Sequence, residues 1–356
     1  MDPLTQGLLG ASAAQNLSPP RRYAVAAATL GFLSGMAADL DVLIRSPHDS
    51  LLFLEFHRQF THSLVFIPVG ALLCAAVLRL FFRRRWPMSF GRSALFCGAG
   101  YATHALLDAC TTYGTQLLWP FSDTRIAWNI LSIIDPLYTL PIAALVALAW
   151  KGNRRWAARL ALAWILTYPL LGVVQRERAE AEGYRLAASR GHEVESLEAK
   201  PSFANLILWK TVYRSHDRFY VDAVRVARDI RIYPGDSIAA LNIPRDLPWL
   251  PSVSRQANDV KRFDWFSKGY TALQPGNPNK IIDIRYSILP HELDALWSIQ
   301  LFPDAPQRGV EYQAHRNSRE KTALFWAMLR GEDLPSAPGH SLAASGNENA
   351  EENKAL

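Results

Sequence analysis

Apolar residues crowd the first half of the chain in blocks of membrane-spanning length, while the second half breaks into short runs that mix apolar and polar positions. Five blocks approach the ~20 residues a transmembrane helix needs. They run at about 22–38, 62–82, 93–112, 129–150 and 156–174. The first is rich in Ala and Gly, the third is interrupted by His104 and Asp108, and the fourth contains Asp135. Pro68, Pro141 and Pro169 fall inside blocks, which membrane helices tolerate when neighbouring groups satisfy the freed carbonyls. The opening stretch MDPLTQGLLGASAA is too short to span and predicts a helix lying against the bundle.

After about residue 175 the pattern changes. Residues 176–190 predict a polar helix continuing from the fifth block. Residues 205–214 and 217–228 are rich in aromatic and β-branched side chains and flank Ser215 and His216, which predicts a hairpin. Residues 281–288 and 296–302 predict further strands, and 254–268 and 318–330 predict helices. From Pro335 the polar, Gly- and Glu-containing composition predicts a disordered tail. The expected architecture is an α-helical membrane bundle of about five transmembrane helices over residues 1–175. A smaller soluble α+β domain follows over 176–334, then the tail over 335–356. There is no internal repeat.

Charge adds an orientation. The net charge is +6, and its clusters border the apolar blocks. Arg21 with Arg22, Arg83–Arg85 with Arg92, and Lys151 with Arg154 and Arg155 alternate around the spans, so all three places can be cytoplasmic. Loops 39–61 and 111–128 and the soluble half then lie outside. The soluble half has no stripe of basic residues with interleaved aromatics, which argues against nucleic acid as a partner. Cys74, Cys97 and Cys110 match no zinc or redox spacing, and the second half has no cysteine to form a disulfide. The first residues lack the basic region of a cleavable signal.

This orientation, set by basic residues alone, puts Asp39, Asp41, His57, His62, His104 and Asp108 at the outer ends of the first three blocks. Histidines and carboxylates at bilayer depth are costly and need partners, and each other is the nearest choice. Imidazole and carboxylate suit Zn²⁺, Mn²⁺ or Fe²⁺. His104 and Asp108 are four apart and share a helix face. Asp39 and Asp41 could both reach one ion only if the helix ends between them. His57 and His62 straddle a loop-to-helix junction, with Thr61 as a candidate N-cap of the second span. The candidate metal ligands are Asp39, His62, His104 and Asp108. Asp41 or His57 would orient a water or act as general base. Arg58 would bind an anionic substrate or neutralise a carboxylate. His48, His192, His216, His291, His315 and His340 read as packed or water-facing residues. Asp135, followed by Pro136, either joins the site or caps a broken helix. The segment TTYGTQLLWPFS (111–122) is either an outer loop anchored by aromatics or a lid with Thr111, Thr112, Tyr113 and Gln116 facing substrate.

MDPLTQGLLG, the pair Asp39 and Asp41, HRQFTHS (57–63), HALLD (104–108) and YGTQLLWPFS (113–122) occur in that order. Together they resemble the YdjM-type family of inner-membrane, metal-dependent hydrolases, over about residues 1–140. The resemblance implies a multi-pass protein of the bacterial inner membrane, with a periplasmic soluble domain under the orientation above. It also implies a divalent metal site drawn from Asp39, Asp41, His57, His62, His104 and Asp108. One position departs from the family, which often has His where this chain has Gln6; glutamine is a poor zinc ligand.

These readings predict a metal-dependent hydrolase working at the membrane interface, with zinc as the expected ion and manganese or iron as alternatives. Membrane lipids are the expected partners, and a lipid, lipid-linked or phosphoester substrate is the expected class. Two rivals remain: a non-catalytic membrane scaffold stapled by a structural metal, and a transporter, which the lack of an inverted repeat disfavours.

Overall fold

The computed structural model describes residues 1–18, 23–152, 154–314 and 319–334. The tail expected at 335–356, and Arg21, Arg22, His315 and His340, lie outside the described residues. The chain forms a helical N-terminal region followed by a β-sheet-rich C-terminal region.

Helix α1 spans Pro3–Leu17 and α2 spans Ala24–Gly35. The Asp2 carboxylate caps α1 by accepting from the Thr5 amide at 3.0 Å, and Pro3 sits where a helix needs no amide donor. α1 does not merely lie against the bundle. It is buried along most of its length, packed on α2 and on α5, which spans Phe90–Ala109. Glycines make this possible. A Cβ at Gly31 would lie 2.3 Å from the Gly10 carbonyl oxygen, and one at Gly100 would lie 2.3 Å from that of Gly31. The three backbones approach closely because small residues line the seam, a general device of membrane helices.

The short α3 (Leu52–Phe56), α4 (Ile67–Phe82), α6 (Pro136–Gly152) and the 35-residue α7 (Arg155–Ser189) complete the region. Three helical stretches among the described residues are long and apolar enough to cross a membrane: Ala24–Leu43, Leu64–Phe82 and Arg155–Ser189. The expectation of about five is therefore not met by length and composition. α5 is long enough but carries Arg92, Thr103, His104 and Asp108, because it lines the site. The fourth block starts late: residues 129–135 are irregular, and the apolar helix is the shorter Pro136–Trp150. Asp135 resolves as the cap of α6, its Oδ1 accepting from the amides of Leu137 (3.1 Å) and Tyr138 (3.3 Å). The Tyr168 hydroxyl donates to its Oδ2 at 2.8 Å.

The C-terminal region has two antiparallel sheets. The first joins β1 (Ser196–Pro201), β2 (Leu208–Ser215), β3 (Arg218–Val226) and β4 (Ile230–Tyr233) in that order, with β5 (Ser237–Ala239) also paired to β3. The hairpin expected around Ser215 and His216 is β2–β3, and His216 takes the left-handed φ of 54° at its turn. Two helices follow, α8 (Ile243–Asp246) and α9 (Arg255–Phe266). The second sheet is a meander of β6 (Thr271–Gln274), β7 (Asn277–Asp283), β8 (Trp297–Gln300) and β9 (Glu311–Ala314), and α10 spans Arg319–Arg330.

The first sheet packs on α7, which runs on past its apolar part as the expected polar helix. The second sheet and α9 share a hydrophobic core with Leu51, Leu54 and Tyr113 from the loops at the helix ends. Arg262 of α9 clamps those loops through Asp49 (2.9 Å) and Glu55 (2.5 Å). The C-terminal region therefore covers the end of the helices where loops 39–61 and 111–128 lie.

Candidate metal centre

α2 stops at Gly35, and the chain tightens into a 3₁₀ helix over Ala37–Leu43. At three residues per turn, residues two apart face different ways. Asp39 accordingly faces His62 and His104, and Asp41 faces the HRQFTHS loop, yet one oxygen of each lies within 4.8 Å of the other and of a His57 ring nitrogen. That loop is held by Arg58, whose φ of 63° is unusual for a residue with a side chain. The Arg58 amide donates to Asp41 Oδ2 at 2.9 Å, and its carbonyl accepts from the Gln116 amide at 3.0 Å. α5 then presents His104 and Asp108 one turn apart on a buried face.

These elements bring one atom from each of four side chains together. Asp39 Oδ1, His62 Nε2, His104 Nε2 and Asp108 Oδ2 lie within 4.8 Å of one another. The His62 and His104 Nε2 atoms are 2.9 Å apart. Asp39 Oδ1 is 3.4 Å from His62 Nε2 and 3.3 Å from His104 Nε2. Asp108 Oδ2 is 3.1 Å from His62 Nε2 and 3.4 Å from His104 Nε2. A tetrahedral ion with nitrogen and oxygen donors at ~2.0–2.1 Å keeps its donors roughly 3.3 Å apart. The donor set fits such an ion in both chemistry and spacing.

The groups behind the ligands point the same way. His104 Nδ1 is 2.5 Å from the Gly35 carbonyl oxygen, which can only accept, so Nδ1 carries a proton and, in the neutral ring, Nε2 holds the lone pair. His62 Nδ1 faces the Thr61 hydroxyl at 2.9 Å and Asp41 Oδ2 at 3.2 Å, which assigns it the same tautomer. Two imidazole lone pairs then face each other, an arrangement that a shared cation relieves. The carboxylate oxygens Asp39 Oδ1 and Asp108 Oδ2 are also buried with no hydrogen-bond partner among the described residues. Carboxylate or carbonyl partners behind metal-binding histidines are the usual means of orienting them.

Asp41 is surrounded by donors. Its Oδ1 is 2.7 Å from His57 Nδ1, and its Oδ2 accepts from the Thr61 hydroxyl at 2.7 Å and from the Arg58 amide. Thr61 was expected to cap the second span; instead Ser63 does so, accepting from the Phe66 amide at 3.3 Å, while Thr61 serves Asp41. The far oxygen of Asp108, Oδ1, receives Arg58 Nη2 at 3.2 Å, Gln6 Nε2 at 2.9 Å and the Met1 ammonium group. Gln6 therefore stands beside the cluster and holds a ligand carboxylate from behind. His48, His192, His216 and His291 belong to no such group of ligating side chains among the described residues.

Of the four converging side chains, only that of Asp39 is accessible, at 21% exposure against 0% for the other three. An apolar groove of about 550 Å³ is lined by Ala37 and Leu40, which flank Asp39 on the 3₁₀ helix, by Thr61, and by Leu73 and Tyr101; the four converging side chains themselves are not part of its wall. Thr111 accepts from Arg58 Nη1 at 3.1 Å, and Tyr113 is buried under the second sheet, so this part of segment 111–122 is a packed wall rather than an open flap. Sequence reasoning passed over Arg125. It donates to the carbonyls of Leu54 (2.6 Å) and His57 (2.9 Å) and so ties down the backbone of the HRQFTHS loop. Its only signal is a lone Arg after an aromatic-rich stretch.

A family model described as YdjM inner membrane protein matches residues 1–179, half of the 356-residue chain. This chain belongs to that family. It is similar to the uncharacterized protein YfhP of Bacillus subtilis, 25% identical over 204 residues, covering 57% of this chain and 59% of that protein. It is also similar to the inner membrane protein YbcI of Escherichia coli, 36% identical over 107 residues, covering 29% of this chain and 60% of that protein. The chain thus spans about three-fifths of the length of the curated relatives it matches. No solved structure matches it. Family membership and the apolar helices fit a membrane location.

Proposed function

We propose that this protein is a membrane-embedded, metal-dependent hydrolase acting at the membrane interface on a lipid or phosphoester. The observation that carries the reading is the convergence of Asp39 Oδ1, His62 Nε2, His104 Nε2 and Asp108 Oδ2, with both carboxylate oxygens otherwise unpartnered. Zinc suits this donor set best, with manganese or iron as alternatives. When bound, such an ion would supply Lewis-acid polarisation of the scissile group and acidification of a water. His57 is the residue placed to take a proton. Its Nδ1 is held by Asp41, and its ring centroid lies 6.0 Å from that of His62. Asp41 acts as a positioning residue for His57 and His62 together. Arg58 offsets the charge of Asp108 and faces an incoming anion. The apolar groove beside Asp39 supports a lipid substrate, because an acyl chain lying in it would bring its polar end to the accessible ligand.

One observation favours a second reading. Four protein donors can close a tetrahedron, as in structural sites, and a metal staple would then join the 3₁₀ helix, the HRQFTHS loop and α5. The deciding experiment incubates the purified full-length protein with phospholipids and lipid-linked phosphoesters, before and after chelation and metal restoration. Hydrolysis that disappears with the metal and returns with it supports the enzyme. A metal-loaded protein inert toward the whole panel supports the staple.

The site's side of the membrane follows the basic clusters, and we place the soluble domain of residues 176–334 in the periplasm of a bacterial cell. An enzymatic reporter fused after residue 190 should read as periplasmic. A cytoplasmic reading would move the site to the inner face.

A further inference from the structure

Five hydrogen-bond donors sit buried without an acceptor among the described residues where the second sheet covers the helix-end loops: Arg58 Nε, Arg125 Nε, Arg125 Nη1 and the hydroxyls of Tyr113 and Tyr286. They belong to one neighbourhood. The guanidinium carbons of Arg58 and Arg125 lie 4.8 and 5.5 Å from the centre of the Tyr113 ring. Trp297 bridges the two tyrosines, its ring 5.7 Å from that of Tyr113 and 4.2 Å from that of Tyr286. Arg58 and Arg125 are 5% and 4% exposed.

Charge is unbalanced in the same place. Arg285, also close by, is neutralised by a bidentate pair with Asp283 at 2.9 and 2.6 Å. Arg58 shares Asp108 with other donors at the cluster. Arg125 has no ion pair among the described residues: it donates to the two backbone carbonyls named above and otherwise meets the rings of Tyr113, Trp265 and Phe266 at 5.4–5.7 Å. Burial, opposed by Tyr113 and reinforced by the charges of Arg58 and Arg285, holds its pKa below the usual arginine value. An unpaired buried cation is among the most costly features a fold can keep. A cleft of about 520 Å³ lies on the far side of Trp265 and Gln116, and its charged lining is mixed, with Lys261 and Arg262 against Glu55 and Asp123. Trp265 lies 5.7 Å from the Arg125 guanidinium, and both amide atoms of the buried Gln116 are unpartnered.

Donors without acceptors, plus positive charge without a counterion, define the missing group: an acceptor-only anion. We propose that Arg58 and Arg125, with the hydroxyls of Tyr113 and Tyr286, bind a phosphate-type oxyanion of the substrate beside the metal cluster. The proposal deepens the hydrolase reading and rests on it for the role of that anion, though not for its binding. Guanidinium forks match tetrahedral oxyanions, and charge-assisted hydrogen bonds are the strong ones. Arg58 would link the two sites, since it also touches Asp108.

The test uses the full-length protein in detergent, metal-loaded and chelated, at constant ionic strength. Inorganic phosphate and a monomeric short-chain phosphatidic acid serve as probes, with binding read by calorimetry. We expect saturable phosphate binding in both metal states, weakened at least about tenfold in Arg125→Met, the effect of losing one charged donor group. The shape-preserving double variant Tyr113→Phe/Tyr286→Phe keeps the test open if Arg125→Met does not fold, and it should weaken binding several-fold. Tighter binding of phosphatidic acid assigns the site to a lipid headgroup, and equal binding assigns it to a free phosphate group. Affinity unchanged in the folded variants, or binding that vanishes with the metal, overturns the proposal. Phosphate binding by a protein that never holds a divalent ion would keep this inference and remove the hydrolase reading.

Discussion

Both regions of the molecule bury charge, and they satisfy it in opposite ways. In the C-terminal region several buried charges find hydrogen-bond partners among the described residues. Arg285 pairs with Asp283, and Arg190 grips Asp222 at 2.7 and 2.8 Å. Lys210 donates to Ser287 Oγ at 2.7 Å and to the Glu292 carbonyl at 2.9 Å. In the helical region Asp39, His62, His104 and Asp108 turn one atom each toward one another, and two carboxylate oxygens have no hydrogen-bond donor among the described residues. Closed networks hold a fold together. An open network of ligand atoms, kept by helices that could have been wholly apolar, is arranged for something that arrives.

The contrast breaks most severely at the histidines. His62→Ala or His104→Ala should abolish copurifying divalent metal, read by elemental analysis. Equal metal in wild type and the double variant would show the helical network to be as closed as the other. Next in size is Asp283→Asn, which leaves the Arg285 cation without its counterion. It should cost about 3–5 kcal/mol of stability in denaturant unfolding while metal content stays the same. Loss of metal in that variant would mean that the two networks are one.

Asp41→Asn sharpens the comparison within the site. Removing a carboxylate behind a ligand histidine weakens metal binding by about 10- to 100-fold, so at saturating metal the ion should stay while function falls. A staple would show no such split: metal, stability and function would fall together or not at all. Complete metal loss would make Asp41 a ligand. The smallest effect concerns Lys210, whose burial pulls its pKa down to about 7. Between about pH 7 and its unfolded value near 10.5, the unfolded chain binds the extra proton, so stability should rise with pH across that window. Lys210→Met should flatten that rise, measured by unfolding at pH 7 and pH 9.5.

Much of this was legible in the sequence, for a physical reason. Polar candidates in or beside apolar segments are conspicuous because each violates the composition around it, and Asp39, His62, His104 and Asp108, which the structure brings together, stood out that way. The hairpin at His216 and helices α9 and α10 carry strong local patterns, and they lie where the pattern put them. What escaped depends on distant pairing. β1, β4, β5 and β9 are short and acquire strand character only from their neighbours. The 3₁₀ turn that separates the directions of Asp39 and Asp41 leaves no periodicity in seven residues. Arg125 is unreadable in the sequence because its meaning lies in which backbone carbonyls it reaches and in the lack of an ion pair among the described residues, both of them three-dimensional facts. Length and composition support three of the expected spans; the other two differ because residues 129–135 are irregular and because α5 carries the polar residues of the cluster.

The 35 residues of α7 make a rod of about 52 Å. From Arg155 to Gln175 it advances about 30 Å, the thickness of a bilayer's hydrocarbon core. There it is bolted down: Gln175 Nε2 donates to the carbonyls of Leu206 at 3.0 Å and Val226 at 2.7 Å, and Arg178 to that of Ala227 at 2.8 Å. The helix is thus a depth gauge. It leaves no slack for the sheets to ride up or down, so one uninterrupted helix fixes how far the sheets stand from its Arg155 end. Under the membrane placement proposed above, a thinner or thicker bilayer would shift the histidine cluster against the lipid surface without moving a single side chain.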